Sequence, residues 1–317
     1  MHTLPESGLT LERLEIERMK LKTALLAPLT RVGYEYDWAH FRAWCERWNR
    51  EPLPAAEDTV SLYATDWLAR GGKVSSIRRR IEAIRHKHLA AGFRSPITEE
   101  IRLLLTGARR VRHEPPRQVE PLTIAQLREI SAMLKQNGAP HLMRNRAILV
   151  VGFASALRSW NLAALRTDDI EVRPEGLVVR VRQEKQDQTG KGRYIGLPRG
   201  QHPESCPVRA FEEWMEKRGK DAGALFHRFG HTGGPTVHLV PERISLIVKK
   251  CVARIGIDPS RYGSHSLRAG FITAAGEAGI GELLIAAQTG HRDMQVLRRY
   301  FRRTHLFRAN ACHALDL

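Results

Sequence analysis

The sequence predicts a mainly α-helical fold with a small antiparallel sheet, of the α+β class, divided into two domains. The chain has 317 residues, which is long enough to bury two separate hydrophobic cores. Apolar residues recur at steps of three and four through most of the chain, as they do in helices that bury one face. The stretch 170–197 instead has short β-branched runs separated by turn residues, which predicts three strands.

The N-terminal half is predicted to be helical; its first helical pattern, at 9–26, is imperfect, and a loose arm over the first ~20 residues is the alternative there. Helices are predicted at 9–26, 34–48, 58–69, 74–91 and 98–111. The second helix is followed by a turn that contains Pro52 and Pro54, because proline cannot continue a helix. The third stops at Gly71 and Gly72. This half is therefore predicted to be a helical domain over residues 1–112.

The fourth predicted helix, 74–91, combines an apolar stripe with a dense positive charge. The stripe consists of Ile77, Ile81, Ile84 and His88, and most of the rest of the surface is basic. A run of one sign repels itself unless an anion neutralises it, although a solvated basic face on a small bundle is the simpler alternative. Contact with a DNA backbone is therefore predicted for Arg78, Arg79, Arg80, Arg85 and Lys87.

Composition restricts the class of protein. Lys and Arg number 51 against 34 Asp and Glu, giving a net charge of +17, so a polyanionic partner is expected. Ribosome-associated proteins and proteins of anionic membrane surfaces share this balance. No stretch approaches the ~20 apolar residues of a spanning helix, and the N-terminus lacks a secretory pattern. The four cysteines are scattered, which argues against disulfides and zinc and favours a reduced, cytoplasmic protein.

A proline-containing basic segment follows the fifth helix and predicts a linker at 113–120, with a second domain at 121–317. A basic linker can also follow a phosphate backbone, so Arg109, Arg110 and Arg112 are further candidates for DNA contact. In the second domain Thr123 is a predicted helix cap. Further helices are predicted at 142–155, at 161–165 and beyond 207, with strands at 170–172, 177–182 and 193–197.

The last fifth of the chain carries the residues most specific for chemistry. The first motif is His265-Ser-Leu-Arg268. His291, in a Gly-His pair, follows Arg268 by 23 residues, and Tyr300 follows His291 by nine. Arg158 lies upstream in Ala154-Ser-Ala-Leu-Arg158, and Lys185 lies in a predicted hairpin. No HExxH, DxD or carboxylate cluster suggests a metal, so neither a metal nor another cofactor is predicted. These motifs resemble the active site of the tyrosine recombinases, the phage integrase family.

The resemblance implies a role for each of these residues. Tyr300 would attack a DNA phosphodiester, and Arg158 and Arg268 would grip the non-bridging oxygens as bidentate forks. His265 would accept the tyrosine proton or bond the phosphate, and His291 would donate to the same phosphate.

Three features of the resemblance concern the remaining chemistry and the tail. Lys185 would protonate the leaving 5′-oxygen, with Lys191 as the competing assignment. One departure is Asn161, where the family usually has an acidic residue, so the geometry around Arg158 is in doubt. The C-terminal residues 306–317 are predicted to form a helix that docks either on its own domain or, as in the family, on a neighbouring subunit.

The resemblance extends to architecture and partners. It implies a helical core-binding domain before the catalytic domain, double-stranded recombination sites as substrate, and a homotetramer on DNA, with accessory DNA-bending proteins as possible partners. It also implies a nucleoid-associated protein of a prokaryote, phage or mobile element. Two alternatives stay open: a type IB topoisomerase, which rejoins the same strand, and a non-catalytic DNA-binding protein with the same fold.

Overall fold

The computed structural model describes residues 10–24, 28–112, 119–182, 192–229 and 237–304. The chain divides into two compact units, Met1–Pro116 and Arg117–Leu317. This division falls inside the stretch predicted as a linker, of which residues 113–118 lie outside the described part. The catalytic lysine candidates Lys185 and Lys191 and the predicted C-terminal docking helix also lie outside the described residues.

The N-terminal unit consists of helices. They are α1 (Leu11–Ala24), α2 (Pro28–Arg47), α3 (Glu57–Ala69), α4 (Val74–Ala90) and α5 (Glu99–Arg112). Helix α2 begins six residues before its predicted start, because proline is tolerated in the first turn, where its missing N–H has no helical partner. The core lies between α2, α3, α4 and α5 and is centred on Phe41, Tyr63 and Ile77.

The predicted stripe of α4 is confirmed as its core face. Ile77, Ile81, Ile84 and His88 are all buried. His88 satisfies both ring nitrogens inside the unit, since Nδ1 lies 2.8 Å from the carbonyl oxygen of Ile84 and Nε2 accepts from the backbone N–H of Ala55 at 2.8 Å. A histidine hydrogen-bonded at both nitrogens can be buried in an apolar core without leaving a polar atom unpaired.

The second unit, Arg117–Leu317, combines a three-stranded antiparallel sheet with helices, so the α+β prediction is confirmed; it is called the catalytic unit below because it carries the candidate catalytic residues. The sheet has the order β1 (Ile170–Arg173), β2 (Gly176–Val181), β3 (Arg193–Pro198), and Val179 is opposite both Ile170 and Ile195. The helices are α6 (Ile124–Asn137), α7 (Pro140–Ser155), α8 (Ser159–Ala164), α9 (Pro207–Arg218), α10 (Pro241–Arg254), α11 (His265–Glu277), α12 (Glu282–Thr289) and α13 (Met294–Thr304). Thr123 caps α6 in a capping box with Gln126, as its sequence position predicts.

Helix α7 is the centre of the catalytic unit and is buried on almost every side. Gly152 lets α8 and α11 approach it closely, since a Cβ there would come within 2.7 Å of Leu162 and 3.0 Å of Leu267. Gly270 of α11 packs against the backbone at Leu122, just before α6. A Cβ at position 270 would lie 2.1 Å from the carbonyl oxygen of Leu122. These contacts fix the start of α11 relative to the end of α7, and the catalytic candidates lie at those two places.

Three cysteines in the described part, Cys45, Cys206 and Cys251, are buried free thiols. Within the described ranges, no group of three or more His, Cys, Asp or Glu side chains is arranged to hold a metal ion. None of the helices in that part of the chain has both the length and the apolar character that crossing a membrane requires.

Candidate active site

The end of α7 provides a backbone anchor for the first candidate side chain. Ala156 has a left-handed backbone with φ of 50°, which ends the helix and redirects its carbonyl group. Arg268, on the first turn of α11, is only 3% exposed and donates from Nη1 to that carbonyl oxygen at 2.7 Å. This backbone oxygen orients the buried guanidinium of Arg268 through a charge-assisted hydrogen bond.

Arg158 lies two residues beyond Ala156. It is the capping residue of α8, in extended conformation, and its side chain is half-buried. Its side chain forms no hydrogen bond or ion pair with another described residue, which leaves its donors available to a ligand. The charges of Arg158 and Arg268 both lower the pKa values of His265 and His291, so the structure gathers these four predicted residues in one place.

His291 is brought to Arg268 by the turn that ends α12. Gly290 adopts a left-handed conformation with φ of 69°, and its N–H bonds to the carbonyl oxygen of Ala286 at 2.7 Å. The chain reverses there, and Nη2 of Arg268 lies 3.1 Å from Nε2 of His291. The Gly-His pair of the sequence is thus a helix stop that aims an imidazole at the buried arginine.

The tautomer of His291 follows from its neighbour Thr289. The Thr289 hydroxyl donates to the carbonyl oxygen of Ile285 at 2.7 Å, so it can only accept from Nδ1 of His291, also at 2.7 Å. Nη2 of Arg268 lies 3.1 Å from Nε2 and 3.3 Å from Nδ1, and with the proton on Nδ1 only Nε2 can accept from it. Burial, followed by the charges of Arg268, Arg158 and Arg193, lowers the pKa of His291 to about 4, which agrees with a neutral ring.

His265 is the first residue of α11 and is exposed to solvent. Loss of water around the ring, followed by repulsion from Arg268 and Arg158, holds the pKa of His265 below its usual range. A neutral imidazole at neutral pH has an unprotonated nitrogen, so His265 is able to accept a proton.

Tyr300 lies on α13, which packs against α11 and α12. Its ring centroid lies 6.3 Å from that of His291, and the side chain packs against the small apolar cluster formed by Ile272, Ile285, Ala286 and Leu297. The ring is half-buried. Apolar contacts therefore hold the phenol beside the His291–Arg268 pair, while part of the side chain stays accessible.

Two contributors to this site were not predicted from the sequence. Thr289 sets the tautomer of His291, and its only sequence signal is its position two residues before the histidine. Arg193, predicted only as a strand residue, donates from Nη1 to the carbonyl oxygens of Ala287 and Gln288 at 3.2 and 3.0 Å. A cation at the C-terminal end of α12 stabilises that helix and adds to the local positive charge.

The structure shows the surroundings of Asn161, the position where the family usually has an acidic residue. Asn161 is buried in α8 and lines a cavity of about 300 Å³ together with Asp169 and Arg182. Arg182 donates to Asp169 at 2.5 Å and to Asp168 at 2.7 Å. The carboxylate that lines this cavity is thus already paired with an arginine at the end of β2, next to the segment that contains Lys185.

The basic residues predicted on α4 differ in what they contact. Arg79 forms two hydrogen bonds, of 2.7 and 3.0 Å, with the carboxylate of Asp37, which is fully buried. Arg80 is 6% exposed; it lies 3.6 Å from Asp37 and stacks over Trp67 at 3.8 Å. Arg80 is therefore part of the buried core of the bundle, whereas the sequence predicted that it would contact DNA from the surface.

The remaining candidates of this unit are also sorted by their contacts. Lys87 binds Glu35 at 2.7 Å and Arg85 binds Glu82 at 2.9 Å, while Arg112 donates to the carbonyl oxygens of Gly72, at 2.7 Å, and Leu68. Three of the predicted DNA-contact residues are exposed and form no hydrogen bond or ion pair with a described residue. They are Arg78, Arg109 and Arg110.

Comparison with known proteins agrees with this arrangement. The model of the phage integrase family matches residues 120–306. An integrase/recombinase xerD homolog of Selenomonas ruminantium is 29% identical over 309 residues, covering 96% of this chain and 90% of the relative. The tyrosine recombinase XerD of Caulobacter vibrioides is 26% identical over 317 residues, covering 96% of this chain and 93% of the relative.

Solved structures show the same fold. The XerH site-specific recombinase bound to a palindromic difH substrate aligns with a TM-score of 0.59 at 16% identity, covering 83% of this chain and 72% of that chain. A lambda integrase dimer bound to a COC′ core site also aligns with a TM-score of 0.59, at 15% identity, covering 90% of this chain and 93% of that chain. Identities this low support the fold alone, but the family model covers more than half of the sequence. The chain therefore belongs to the phage integrase family and is a tyrosine-type site-specific DNA recombinase.

Proposed function

We propose that Tyr300 is the nucleophile of this recombinase. Its phenol oxygen attacks the scissile phosphorus, the bond from phosphorus to the 5′-oxygen breaks, and a 3′-phosphotyrosine remains. The phenol proton passes to a base and the 5′-oxygen takes up a proton from an acid. The observation that carries this proposal is the placement of the Tyr300 ring 6.3 Å from that of His291, which itself contacts the buried Arg268.

Arg158 and Arg268 stabilise the phosphorane in this mechanism. Each guanidinium offers a planar fork to two phosphate oxygens, and Arg158 forms no ion pair with a described residue. Because the backbone of Ala156 holds Arg268 in place, little reorganisation is required when the charge develops.

His291 is proposed to change its hydrogen bonds when DNA binds. In the protein alone its Nε2 accepts from Arg268, so it cannot donate to a phosphate from that atom. An arriving phosphate is a stronger acceptor for Arg268, and its negative charge favours a proton on Nε2 of His291, which then donates to a non-bridging oxygen. His265, neutral at pH 7, accepts the proton of Tyr300.

Lys185 is proposed as the acid that protonates the 5′-oxygen, with Lys191 as the alternative. An ammonium group loses its proton readily when it is desolvated, which suits it to this step. The lysine-bearing segment follows Arg182, whose pairing with Asp168 and Asp169 anchors the last residue described before it.

The substrate is proposed to be double-stranded DNA that carries a recombination site. In the N-terminal unit the exposed Arg78, Arg109 and Arg110 are the best placed to meet phosphates, and Arg79, Arg85 and Lys87 must first give up carboxylate partners. A homotetramer, formed through the C-terminal residues 306–317, would complete the assembly, and DNA-bending proteins would assist it. Such a protein would act at the nucleoid in the cytoplasm.

The direct test uses supercoiled plasmid that carries the DNA flanking this gene. Incubation in EDTA followed by SDS is expected to give a covalent protein–DNA adduct that Tyr300→Phe abolishes. Tight binding by both proteins with no adduct from either on nicked candidate sites would refute the catalytic proposal and favour a non-catalytic binder. Relaxation of the plasmid without strand exchange would favour topoisomerase-like chemistry over recombination.

The role of the tail needs its own experiment. Deletion of residues 306–317 is expected to weaken cooperative assembly on a two-site duplex, measured by analytical ultracentrifugation, and to leave the affinity for a single half-site unchanged. Unchanged assembly would refute the proposed docking between subunits.

A further inference from the structure

A second strongly basic site lies on the catalytic unit, away from the catalytic residues. It is a pocket of about 250 Å³ between the first turns of α7, one side of α10 and the chain at residues 228–229. Arg144 is 12 residues from Ala156 along α7, which corresponds to about 18 Å at 1.5 Å per residue. The pocket is thus at the opposite end of α7 from Arg158 and Arg268.

The innermost cation of this pocket is buried without a carboxylate partner. Arg144 is 8% exposed. Its Nη1 donates to the carbonyl oxygen of His227 at 2.9 Å, and Nε and Nη2 donate to the amide oxygen of Asn145 at 3.2 and 2.7 Å. Its guanidinium stacks on Phe229 at 5.0 Å. These partners are neutral, so the buried charge is oriented but not compensated, which is costly unless an external anion supplies the balance.

Other cations line the same pocket. Arg243, Lys250 and Arg254 are seven and four residues apart, which places them on one face of α10, and Arg228 faces them from the neighbouring segment. None of these four side chains forms an ion pair with a described residue. The lining contains no Asp or Glu, and residues 230–236, which follow Phe229, contain none in the sequence either. Burial and the charge of Arg243 lower the pKa of Arg144 to about 10, a further sign of uncompensated charge.

We propose that this pocket binds a phosphate group of the DNA backbone, separate from the scissile phosphate. The inference rests on the proposed function for its source of phosphate, since a recombinase holds its duplex at many phosphates. Arginine forks match the tetrahedral oxygens of a phosphate, and the aromatic face of Phe229 keeps the Arg144 fork in a fixed plane. The contact would carry no sequence information and would fix the position of the catalytic unit on the duplex.

The test measures salt dependence of binding to a fluorescent duplex, with full-length Tyr300→Phe protein as the parent so that cleavage does not intervene. The pocket variant is Arg243→Ala/Lys250→Ala. The matched control, Lys217→Ala/Lys220→Ala, removes two exposed cations elsewhere on the same unit. The pocket variant is expected to reduce the slope of log K against log salt by about 1, with less reduction in the control. All three proteins are compared by circular dichroism, and both pairs are at the surface, so folding is expected to be preserved.

A second arm separates the two sources of phosphate. Thermal unfolding is followed in inorganic phosphate and in chloride at equal ionic strength. If the slope is unchanged but phosphate stabilises the parent and not the pocket variant, the pocket takes a free phosphorylated ligand, and the DNA assignment is overturned. If the pocket variant and the control behave alike in both arms, the site itself is refuted. Neither arm depends on Tyr300, so failure of the cleavage chemistry would be seen separately.

Discussion

The cations of helix α4 and those of the catalytic unit differ in their counterions. On α4, Arg79 and Arg80 share the buried carboxylate of Asp37, and Lys87 is paired with Glu35. In the catalytic unit Arg268 and Arg144 are just as buried. Arg268 donates to the carbonyl oxygen of Ala156, and Arg144 donates to the carbonyl oxygen of His227 and the amide oxygen of Asn145, which carry no charge. Density of positive charge in a sequence therefore does not identify a phosphate site. We expect the absence of an internal carboxylate, as at Arg144, to be a better indicator.

The strongest test of this comparison exchanges an arginine for lysine in each region. Arg268→Lys keeps the charge but loses the fork, and the rate of adduct formation is expected to fall about 100- to 1000-fold. Arg79→Lys, which alters a fork already occupied by Asp37, is the control and is expected to leave that rate unchanged. Quench-flow or timed SDS quenching provides the rates. Equal losses in the two variants would contradict the distinction between the regions.

Removal of the internal carboxylate should damage the N-terminal unit. Asp37→Asn leaves the buried Arg80 without its counterion, so the free energy of unfolding is expected to fall by about 3–5 kcal/mol. Glu35→Gln breaks only the more exposed pair with Lys87, and a loss under about 1 kcal/mol is expected. Urea titrations followed by tryptophan fluorescence measure both. A loss for Asp37→Asn no larger than that for Glu35→Gln would mean that Arg80 does not depend on this counterion.

Burial of His291, followed by the charges of Arg268, Arg158 and Arg193, should also make stability depend on pH. The pKa of His291 is about 4 in the folded protein against an ordinary value of 6.5, so between these values the unfolded chain binds more protons. Stability is therefore expected to fall by about 1–3 kcal/mol as pH decreases from 7 to 4, because each pKa unit corresponds to 1.36 kcal/mol. His291→Gln should weaken this dependence in denaturant titrations across that range. An identical pH profile for the variant would show that His291 is not the group responsible.

The smallest expected effect compares two adjacent residues of α4. Arg78 is exposed and has no ion pair in the described part, whereas Arg79 is bound to Asp37. Arg78→Ala is expected to reduce the salt slope of DNA binding by about 0.9, the value for one phosphate contact, and Arg79→Ala to change it less. Fluorescence anisotropy at several salt concentrations measures both slopes. The reverse order would show that Arg79 exchanges Asp37 for DNA.

Local sequence patterns were sufficient for most of the fold. The stripe of α4, the cap at Thr123 and the three strands depend on residues close together in the chain, where periodicity and turn chemistry are reliable. Arg80 could not be placed from the sequence, because the residue that draws it inward, Asp37, is more than 40 positions away. Charge pairing of that kind is a tertiary property with no local signal.

The candidate site shows the same limit. The motifs around Arg158, Arg268, His291 and Tyr300 indicate which residues to consider, and the structure gathers these side chains together. The tautomer of His291 depends on a hydroxyl whose own donor bond must be known first, and the anchoring of Arg268 depends on the left-handed backbone of Ala156. Neither a donor direction nor a dihedral angle can be deduced from residue identity alone.

The close packing at Gly270 has a consequence for biosynthesis. The chain at Leu122, where the catalytic unit begins, hydrogen-bonds through its N–H to the carbonyl oxygen of Ser266, and there is no room for a side chain at Gly270. During synthesis, the segment at Leu122 thus leaves the ribosome before its hydrogen-bond partner Ser266, which lies more than 140 residues later in the chain, has been made. The buried arginine acquires its backbone anchor only in that late step. A partly synthesised chain therefore cannot assemble the candidate active site until nearly all of the second unit has been made.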